Sequence, residues 1–266
     1  MFWSENRVKH KTATRVLYLP LANGLARGVL ARESGRLCKK GCANMAEGTA
    51  EKLRQLDTAC LCDAEKRLGL GLRVMSPALR PICAGLTMVG RAHTVRCHND
   101  FLTVIKALRD AEAGEVIVID SQESTRALTG ELFPTEAKRK GLAGIVNDGP
   151  CRDTAVVREM EFPYYARSVC CVPGFTNELF ETQVSITCGG VTVDPGDWVV
   201  GDDDGLLVGT EKEFLQLIPV AQKVQEKEGQ LLKRMSAGTS LLEMVNFEEH
   251  SAAIKAGRKS QFEFRI

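Results

Sequence analysis

The segment "GELFPTEAKRKGLAGIVNDGPCRD", residues 130–153, contains the clearest alternation of helix and strand patterns in the chain. Its first half predicts a helix over residues 130–140, with Gly141 as the C-cap residue. The apolar run that follows predicts a strand over residues 143–148, which ends in a run of turn-forming residues. A short second helix is predicted over residues 152–160, so the strand lies between two helices.

The segments before residue 130 show the same alternation. Apolar residues of positions 47–68 recur at helical spacing, and Asp57 or Thr58 can begin a second helical segment there. Alternating helices and strands predict an α/β core in which neighbouring strands run parallel. The other predicted elements on this side are a loop marked by Pro77 and Pro81, a strand over residues 86–97 with Gly90 as a bulge or bend, a helix over residues 101–111 and a buried strand over residues 115–120.

The pattern changes in the second half of the chain. A strand is predicted over residues 163–170. Residues 183–209 then alternate apolar and polar side chains between tight turns, which predicts antiparallel strands. A polar, amphipathic helix over about residues 211–235 follows. We therefore predict one α/β domain over residues 45–235, an N-terminal extension over residues 1–44 and a C-terminal extension over residues 236–266.

The charge distribution bears on whether the protein binds nucleic acid. The chain has 35 Lys and Arg against 34 Asp and Glu. Nine of the bases and two of the acids lie in residues 1–44, which leaves 26 bases and 32 acids in the rest. An acidic body argues against non-specific binding of nucleic acid through phosphate neutralisation.

The sequence is compatible with a cytoplasmic or a mitochondrial location. No apolar run approaches the ~20 residues that a membrane span needs, so no membrane association is expected. Residues 1–44 are rich in Arg and poor in acids, which resembles an organellar transit peptide. A disordered or family-specific extension, or a true start at Met45, fits equally. We expect a cytoplasmic protein, or a mitochondrial one if residues 1–44 are a transit peptide.

The ten cysteines do not form a recognisable zinc or disulfide pattern. Their spacing lacks paired CxxC motifs, and a strand with alternating faces would separate His93 and Cys97 from His98. Reduced thiols fit a chain of this length better than a disulfide framework does. The acidic run of residues 201–205, "GDDDG", can either bind a cation or form a turn.

Residues 130–132 and residues 152–153 are the two candidate functional stretches. Each follows a predicted strand and begins a predicted helix. At the carboxyl edge of a parallel sheet they would meet, and such edges bind ligands. Free N–H groups at a helix start favour an anion, and Gly130 permits close approach. Arg152 could hold a carboxylate and Asp153 could ligate Mg²⁺ or Mn²⁺, with Glu131 and Asp148 holding its waters. The alternative is a solvated ion pair in which Asp153 caps a helix.

Three blocks of the sequence resemble the RraA-like family. They are the segment 130–153, "CGGVTVDPGDWVVGDDDGLLV" at residues 188–208 and the opening "EKLRQLDTACLCDAEKRLG" at residues 51–69. The family contains class II 4-hydroxy-4-methyl-2-oxoglutarate aldolases and the regulator of ribonuclease activity A. The resemblance implies an α/β fold, a swivelling β/β/α-type domain with a mixed sheet. It also implies a homotrimer, sometimes paired into a hexamer, with sites near the subunit boundaries.

The resemblance also implies roles for individual residues. In the aldolase members a Gly-x-Leu motif binds the carboxylate of pyruvate through backbone amides, which here belong to Gly130 and Leu132. The matching arginine is Arg152, which contacts the pyruvate, and the matching metal ligand is Asp153. The acidic residue near metal-bound water is Glu131.

The sequence therefore predicts a metal-dependent lyase that cleaves a C–C bond of a small-molecule 2-oxo acid through a pyruvate enolate. Such a site would act as an aldolase, an oxaloacetate decarboxylase or both, with Mg²⁺ or Mn²⁺ and without a Schiff-base lysine. One position departs from the aldolases, because Val156 stands where they have an acid. Two alternatives are a non-catalytic protein that regulates a ribonuclease by binding it and an enzyme of this architecture with another substrate.

Overall fold

The computed structural model describes residues 48–265. These residues belong to one compact unit. The predicted N-terminal extension over residues 1–44, with its transit-peptide hypothesis, lies outside the described residues.

Eight of the ten strands in residues 48–265 form one mixed sheet in the order β1-β10-β9-β3-β4-β5-β6-β2, and β7 and β8 form a separate hairpin. Strands β3, β4, β5 and β6 run parallel to their neighbours in that set, as the alternation of helices and strands predicts. The other pairs are antiparallel. The strands are β1 (Arg73–Val74), β2 (Arg80–Pro81), β3 (Met88–Arg96), β4 (Glu115–Asp120), β5 (Gly144–Cys151), β6 (Tyr164–Val169), β7 (Ile186–Cys188), β8 (Val191–Val193), β9 (Trp198–Gly201) and β10 (Leu206–Gly209).

The helices begin and end close to the positions that their caps predict. Asp57 caps the first complete helix by accepting from the N–H of Cys60 over 2.6 Å, and Gly69 ends it with a φ of 62°. Residues 48–53 are also helical. The helices are α1 (Thr58–Leu68), α2 (Leu102–Asp110), α3 (Leu132–Arg139), α4 (Thr154–Arg158), α5 (Glu211–Ser236) and α6 (Phe247–Lys255), with a 3₁₀ helix at Leu241–Met244.

The sheet separates a helical layer from the β7–β8 hairpin. Side chains of a strand alternate between its faces, so Val89 and Val95 of β3 pack toward the helices. Met88 and Ala92 of the same strand pack with residues of the hairpin. The predicted α/β class with a mixed sheet is confirmed.

The prediction for the end of β5 is wrong. This strand was expected to stop at residue 148, but it continues to Cys151 through a register shift between Asn147 and Pro150. The ladder with β4 ends at Asn147, so Pro150, which has no N–H, interrupts no bond on that side. Its carbonyl oxygen accepts from the N–H of Leu128 over 3.1 Å. Tertiary pairing therefore overrides the local preference for a turn.

Two smaller predictions are also corrected. Gly90 forms no bulge, because β3 keeps a regular register with β9 from Met88 to Arg91. A Cβ atom at Gly90 would lie only 2.4 Å from the carbonyl oxygen of Gly114, so the glycine permits close packing instead. Pro81, predicted in a loop, belongs to the short strand β2 at the sheet edge, where proline is tolerated.

The C-terminal residues fold back toward α5. Val245 and Phe264 form an antiparallel bridge, and Nζ of Lys227 in α5 donates to the carbonyl oxygen of Phe264 over 2.8 Å. No helix among residues 48–265 has both the length and the apolar character required to cross a membrane.

Candidate active site

Two stretches of chain lie side by side at the carboxyl edge of the parallel strands. Thr129 pairs with Cys151 in a parallel bridge, and the N–H of Arg152 donates to the carbonyl oxygen of Thr129 over 3.0 Å. One stretch leads into α3 and the other into α4. The structure thus brings together the five residues that the sequence singles out, which are Gly130, Glu131, Leu132, Arg152 and Asp153.

Gly130 is the point of closest approach between these stretches. A Cβ atom at Gly130 would lie 2.4 Å from Oδ2 of Asp153 and 3.1 Å from both Cγ and Nε of Arg152. Any side chain at this position would therefore push the two neighbouring side chains away. The glycine allows Arg152 and Asp153 to pack directly over the backbone that precedes α3.

Asp153 does not act as the cap of α4. Its backbone is left-handed, with φ 59° and ψ 30°, and its side chain makes no capping hydrogen bond. Instead, Oδ2 accepts from the N–H of Glu131 over 3.2 Å and lies 3.5 Å from Nε of Arg152. The alternative in which Asp153 merely caps a helix is wrong. A left-handed conformation is uncommon for a residue with a side chain, and such strain concentrates at functional sites.

Two backbone amides at the start of α3 remain available. Within the described part of the chain, neither the N–H of Gly130 nor that of Leu132 has an acceptor, whereas the N–H of Phe133 donates to Gly130 over 3.2 Å. Free N–H groups at a helix start carry partial positive charge and bind anions. These amides and Arg152 can together bind a carboxylate group.

The carboxylates of Glu131 and Asp153 suit a hard divalent cation. The Glu131 side chain makes no hydrogen bond or ion pair with another residue in the range 48–265, and the Asp153 side chain is 38% exposed. The same range contains no group of three or more His, Cys, Asp or Glu residues that could hold a metal ion. Mg²⁺ and Mn²⁺ accept one or two protein carboxylates with water at the remaining positions, so this donor set fits them.

Aromatic side chains form the apolar wall of the site. Phe101 and Phe133 meet edge to face, with their ring centroids 5.7 Å apart at 89°. Both line the same depression as Gly130 and Arg152. The N–H of Phe101 donates to the carbonyl oxygen of Phe175 over 2.9 Å, which ties the segment near residue 175 to this wall.

Asp148 does not belong to the site, contrary to its proposed role in holding metal-bound water. Its Oδ1 accepts from Nε of Arg167, and its Oδ2 accepts from the N–H of Gly189 over 2.7 Å. Gly189 lies between β7 and β8, on the face of the sheet opposite to the helices. Asp148 therefore ties β5 to the β7–β8 hairpin.

A buried polar network beneath Gly130 was missed by the sequence analysis. Nδ2 of Asn147 donates to Oγ1 of Thr129 over 3.1 Å and to the carbonyl oxygen of Pro150 over 3.0 Å. Oγ1 of Thr129 also shares a hydrogen bond with the hydroxyl of Tyr164. Burial raises the pKa of Tyr164 well above its usual value, so the phenol stays neutral. The available signal was a polar residue, Asn147, within an otherwise apolar strand.

The structure also locates Val156 and the acidic run of residues 201–205. Val156 lies on α4 with 48% of its surface exposed and has no charge to replace the acid found in the aldolases. Residues 201–205 form a turn in which the N–H of Asp202 donates to Gly205 over 3.1 Å. The carboxylate of Asp202 accepts two hydrogen bonds from Thr58, so this acidic run serves the fold.

Comparison with known proteins gives a consistent result. The family model described as RraA-like, Aldolase/RraA, matches residues 58–208. A protein of Halalkalibacterium halodurans named as a candidate 4-hydroxy-4-methyl-2-oxoglutarate aldolase is 36% identical over 170 residues, which cover 62% of this chain and 79% of that protein. An uncharacterized protein of Methanocaldococcus jannaschii is 32% identical over 200 residues, or 74% of this chain and 93% of that protein.

A solved structure supports the same relationship. The RNA-processing inhibitor RraA from Thermus thermophilis superimposes with a TM-score of 0.53 at 30% identity, covering 56% of this chain and 92% of that one. The relatives therefore include proteins named for an aldolase activity and a protein named for inhibition of RNA processing.

Proposed function

The chain belongs to the RraA-like family, and from that premise we propose that it is a divalent-metal-dependent lyase that cleaves a C–C bond of a 2-oxo acid. The observation that carries this proposal is the conformation of Asp153, which leaves α4 uncapped and directs its carboxylate toward the N–H of Glu131. A side chain that only capped the helix would need no such strain.

The first task of the site is to bind the substrate carboxylate. The free N–H groups of Gly130 and Leu132 would donate to one carboxylate oxygen or to both, and the guanidinium of Arg152 would add charge-assisted hydrogen bonds. Arg152 is restrained by its own N–H bond to Thr129 and by its contact with Gly130. Fixed donors orient the 2-oxo group without a further loss of entropy.

The second task is to stabilise negative charge as the bond breaks. Asp153 would hold Mg²⁺ or Mn²⁺, with Glu131 beside it, and the bound cation would supply electrophilic stabilisation of the 2-oxo oxygen. The guanidinium of Arg152 would stabilise the same charge on the pyruvate enolate. Retro-aldol cleavage and oxaloacetate decarboxylation both pass through this enolate, so one site can perform both reactions.

The surface near the site supports assembly with other copies of the chain. Four apolar side chains follow one another with large exposed surfaces at Val169, Val172, Phe175 and Leu179. Exposed apolar patches of this kind mark interaction surfaces. We propose a homotrimer, or a hexamer of paired trimers, and light scattering on the purified protein gives its mass directly.

A specific observation also favours a second candidate function. Val156 leaves the site without the acid of the aldolases, and one solved relative is named as an inhibitor of RNA processing. A non-catalytic protein that binds a ribonuclease would therefore be the alternative. We favour the lyase, because a protein that only binds a ribonuclease would gain nothing from a strained Asp153 beside the free N–H groups of Gly130 and Leu132.

The deciding experiment measures pyruvate release from oxaloacetate and from 4-hydroxy-4-methyl-2-oxoglutarate with Mg²⁺. Chelator, a protein-free Mg²⁺ blank and the Asp153→Ala variant define the background. Asp204→Ala is the matched control, because Asp204 is an exposed aspartate in the turn at residues 201–205. We expect Asp153→Ala to lower turnover about 100-fold and Asp204→Ala to leave it unchanged. Wild-type rates equal to the blank with both substrates would reject the lyase.

A further inference from the structure

Beneath the candidate site lies a network of three buried hydrogen-bonding side chains, Thr129, Asn147 and Tyr164, which we call the Thr129 network. All three are at most 1% exposed. The amide orientation of Asn147 is fixed, since the carbonyl oxygen of Pro150 can only accept a hydrogen bond and lies 3.0 Å from Nδ2. The second N–H of Asn147 therefore points to Oγ1 of Thr129, 3.1 Å away.

The Thr129 network joins three separate strands or strand extensions. Thr129 precedes the Gly130 amide, Asn147 lies in β5 before the register shift, and Tyr164 begins β6. The N–H of Arg152 donates to the carbonyl oxygen of Thr129, so one residue contacts both the network and the candidate catalytic arginine. The network thus fixes the distance between the stretch before α3 and the stretch before α4.

Gly130 packs closely against the Arg152 side chain. The backbone at Gly130 approaches the Arg152 side chain so closely that an added Cβ would lie 3.1 Å from Nε. Loss of the Thr129 hydroxyl would leave one N–H of Asn147 without its acceptor and would leave the Tyr164 phenol with Cys151 as its neighbouring partner. In a dry interior the two side chains would shift to recover the lost bonds. A shift of a few tenths of an ångström would then reach Arg152 through the Thr129 backbone.

We propose that Thr129, held by Asn147 and Tyr164, is a positioning residue that fixes Arg152 against the substrate. The inference rests on the proposed lyase function. Thr129 does not touch the reacting atoms through its hydroxyl, which is buried and directed into the network. Its effect passes through the backbone bond to Arg152.

The test compares three variants by steady-state kinetics on oxaloacetate with Mg²⁺. Thr129→Val removes the hydroxyl and preserves the shape of the side chain, whereas Thr129→Ser keeps the hydroxyl. Thr94→Val is the matched control. Thr94 lies in β3, is also fully buried, and donates from Oγ1 to the carbonyl oxygen of Val184 over 2.7 Å. Thermal unfolding is measured for every variant, and rates are expressed per folded molecule.

We expect Thr129→Val to lower kcat about tenfold with a smaller change in KM. The amides of Gly130 and Leu132 still bind the carboxylate, but a displaced Arg152 no longer meets the charge that develops on the enolate. Thr129→Ser restores kcat, and Thr94→Val lowers only the melting temperature. If Thr129→Val destabilises the fold too far, Tyr164→Phe removes the same network bond and should lower kcat in the same direction.

The outcomes separate the inference from the proposed function. A wild-type protein without turnover above the blank rejects both. An active wild type whose Thr129→Val variant keeps full kcat per folded molecule rejects the positioning role alone. A Thr129→Ser variant as slow as Thr129→Val also rejects it, because a retained hydroxyl would then fail to maintain kcat.

Discussion

Two aspartates at the end of β5 have opposite environments. Asp148 gives one carboxylate oxygen to Arg167 and the other to the N–H of Gly189, and its side chain is 14% exposed. Asp153 is 38% exposed, and its Oδ2 meets both the N–H of Glu131 over 3.2 Å and Nε of Arg152 over 3.5 Å, while Oδ1 has no partner among residues 48–265. The fold uses the hydrogen-bonding capacity of the first and leaves that of the second largely available.

This difference separates structural carboxylates from candidate ligands better than sequence position does. Both aspartates follow an apolar strand, and both lie within the block that resembles the family signature. A carboxylate whose oxygens already have protein partners has little to gain from a metal ion, because binding would break those hydrogen bonds. Among the described residues, Asp153 has partners on Oδ2 alone, and it adopts a strained backbone conformation.

The largest effect that would test this comparison is expected from Gly130→Ala. The new methyl group would lie 2.4 Å from Oδ2 of Asp153 and 3.1 Å from Nε of Arg152, so both side chains must move. We expect kcat/KM for pyruvate release to fall about 100-fold, since a displacement near 1 Å costs that much. Steady-state kinetics beside thermal unfolding measures the change.

Gly205→Ala is the control for this substitution. A Cβ atom at Gly205 would meet no other atom within 4 Å, and its backbone needs no left-handed conformation. Its kinetics should match the wild type. Full activity in Gly130→Ala would show that the placement of Asp153 is not needed for turnover, and the contrast with Asp148 would lose its functional meaning.

Asp148→Ala is expected to have the next largest effect, and it should act on stability rather than on turnover. The substitution removes the ion pair with Arg167 and leaves the N–H of Gly189 without its acceptor. We expect the free energy of unfolding to fall by about 2 kcal/mol, as for other charge-assisted bonds. Urea denaturation measures it. A loss of kcat per folded molecule comparable to that of Asp153→Ala would instead return Asp148 to the site.

The sequence predicts the parallel core and the gathering of the site because both depend on short-range patterns. Apolar runs mark β4 and β5, and consecutive strand–helix connections of a parallel sheet end at the same edge. Gly130 and Arg152 are therefore expected to meet. The extension of β5 through Pro150 is not predictable in this way, since it depends on a bond from Leu128 and on the absence of β4 at that level.

The Thr129 network shows a second limit of prediction from sequence, which concerns hydrogen bonds between residues far apart in the chain. Thr129 is separated by 18 residues from Asn147 and by 35 from Tyr164. No periodic pattern links residues at these separations, and each has an ordinary local interpretation as part of a turn or strand. The partners of Asp148 are equally distant, with Gly189 41 residues away. Long-range hydrogen bonds distinguish the two aspartates, and only the folded structure reveals them.

The smallest predicted effect concerns Glu211, which resembles Asp148 in having protein partners on both oxygens. Oε1 accepts from the hydroxyl of Thr49 and Oε2 from Nε1 of Trp198, each over 2.7 Å, and Arg91 forms an ion pair with Oε2. Burial alone would raise the pKa of Glu211, but these hydrogen bonds and the charge of Arg91 together hold it below its usual value of 4.5.

A carboxyl group whose pKa is lowered by folding stabilises the protein above its unfolded pKa and loses that contribution as the pH falls through the folded value. Glu211→Gln should therefore lower the melting temperature at neutral pH, by less than Asp148→Ala does, and the difference from wild type should shrink below pH 4.5. Turnover per folded molecule should not change. If the difference in melting temperature stays constant with pH, the charge of Glu211 contributes nothing to stability. Hydrogen-bond partners on both oxygens would then not be enough to identify a carboxylate whose charge stabilises the fold.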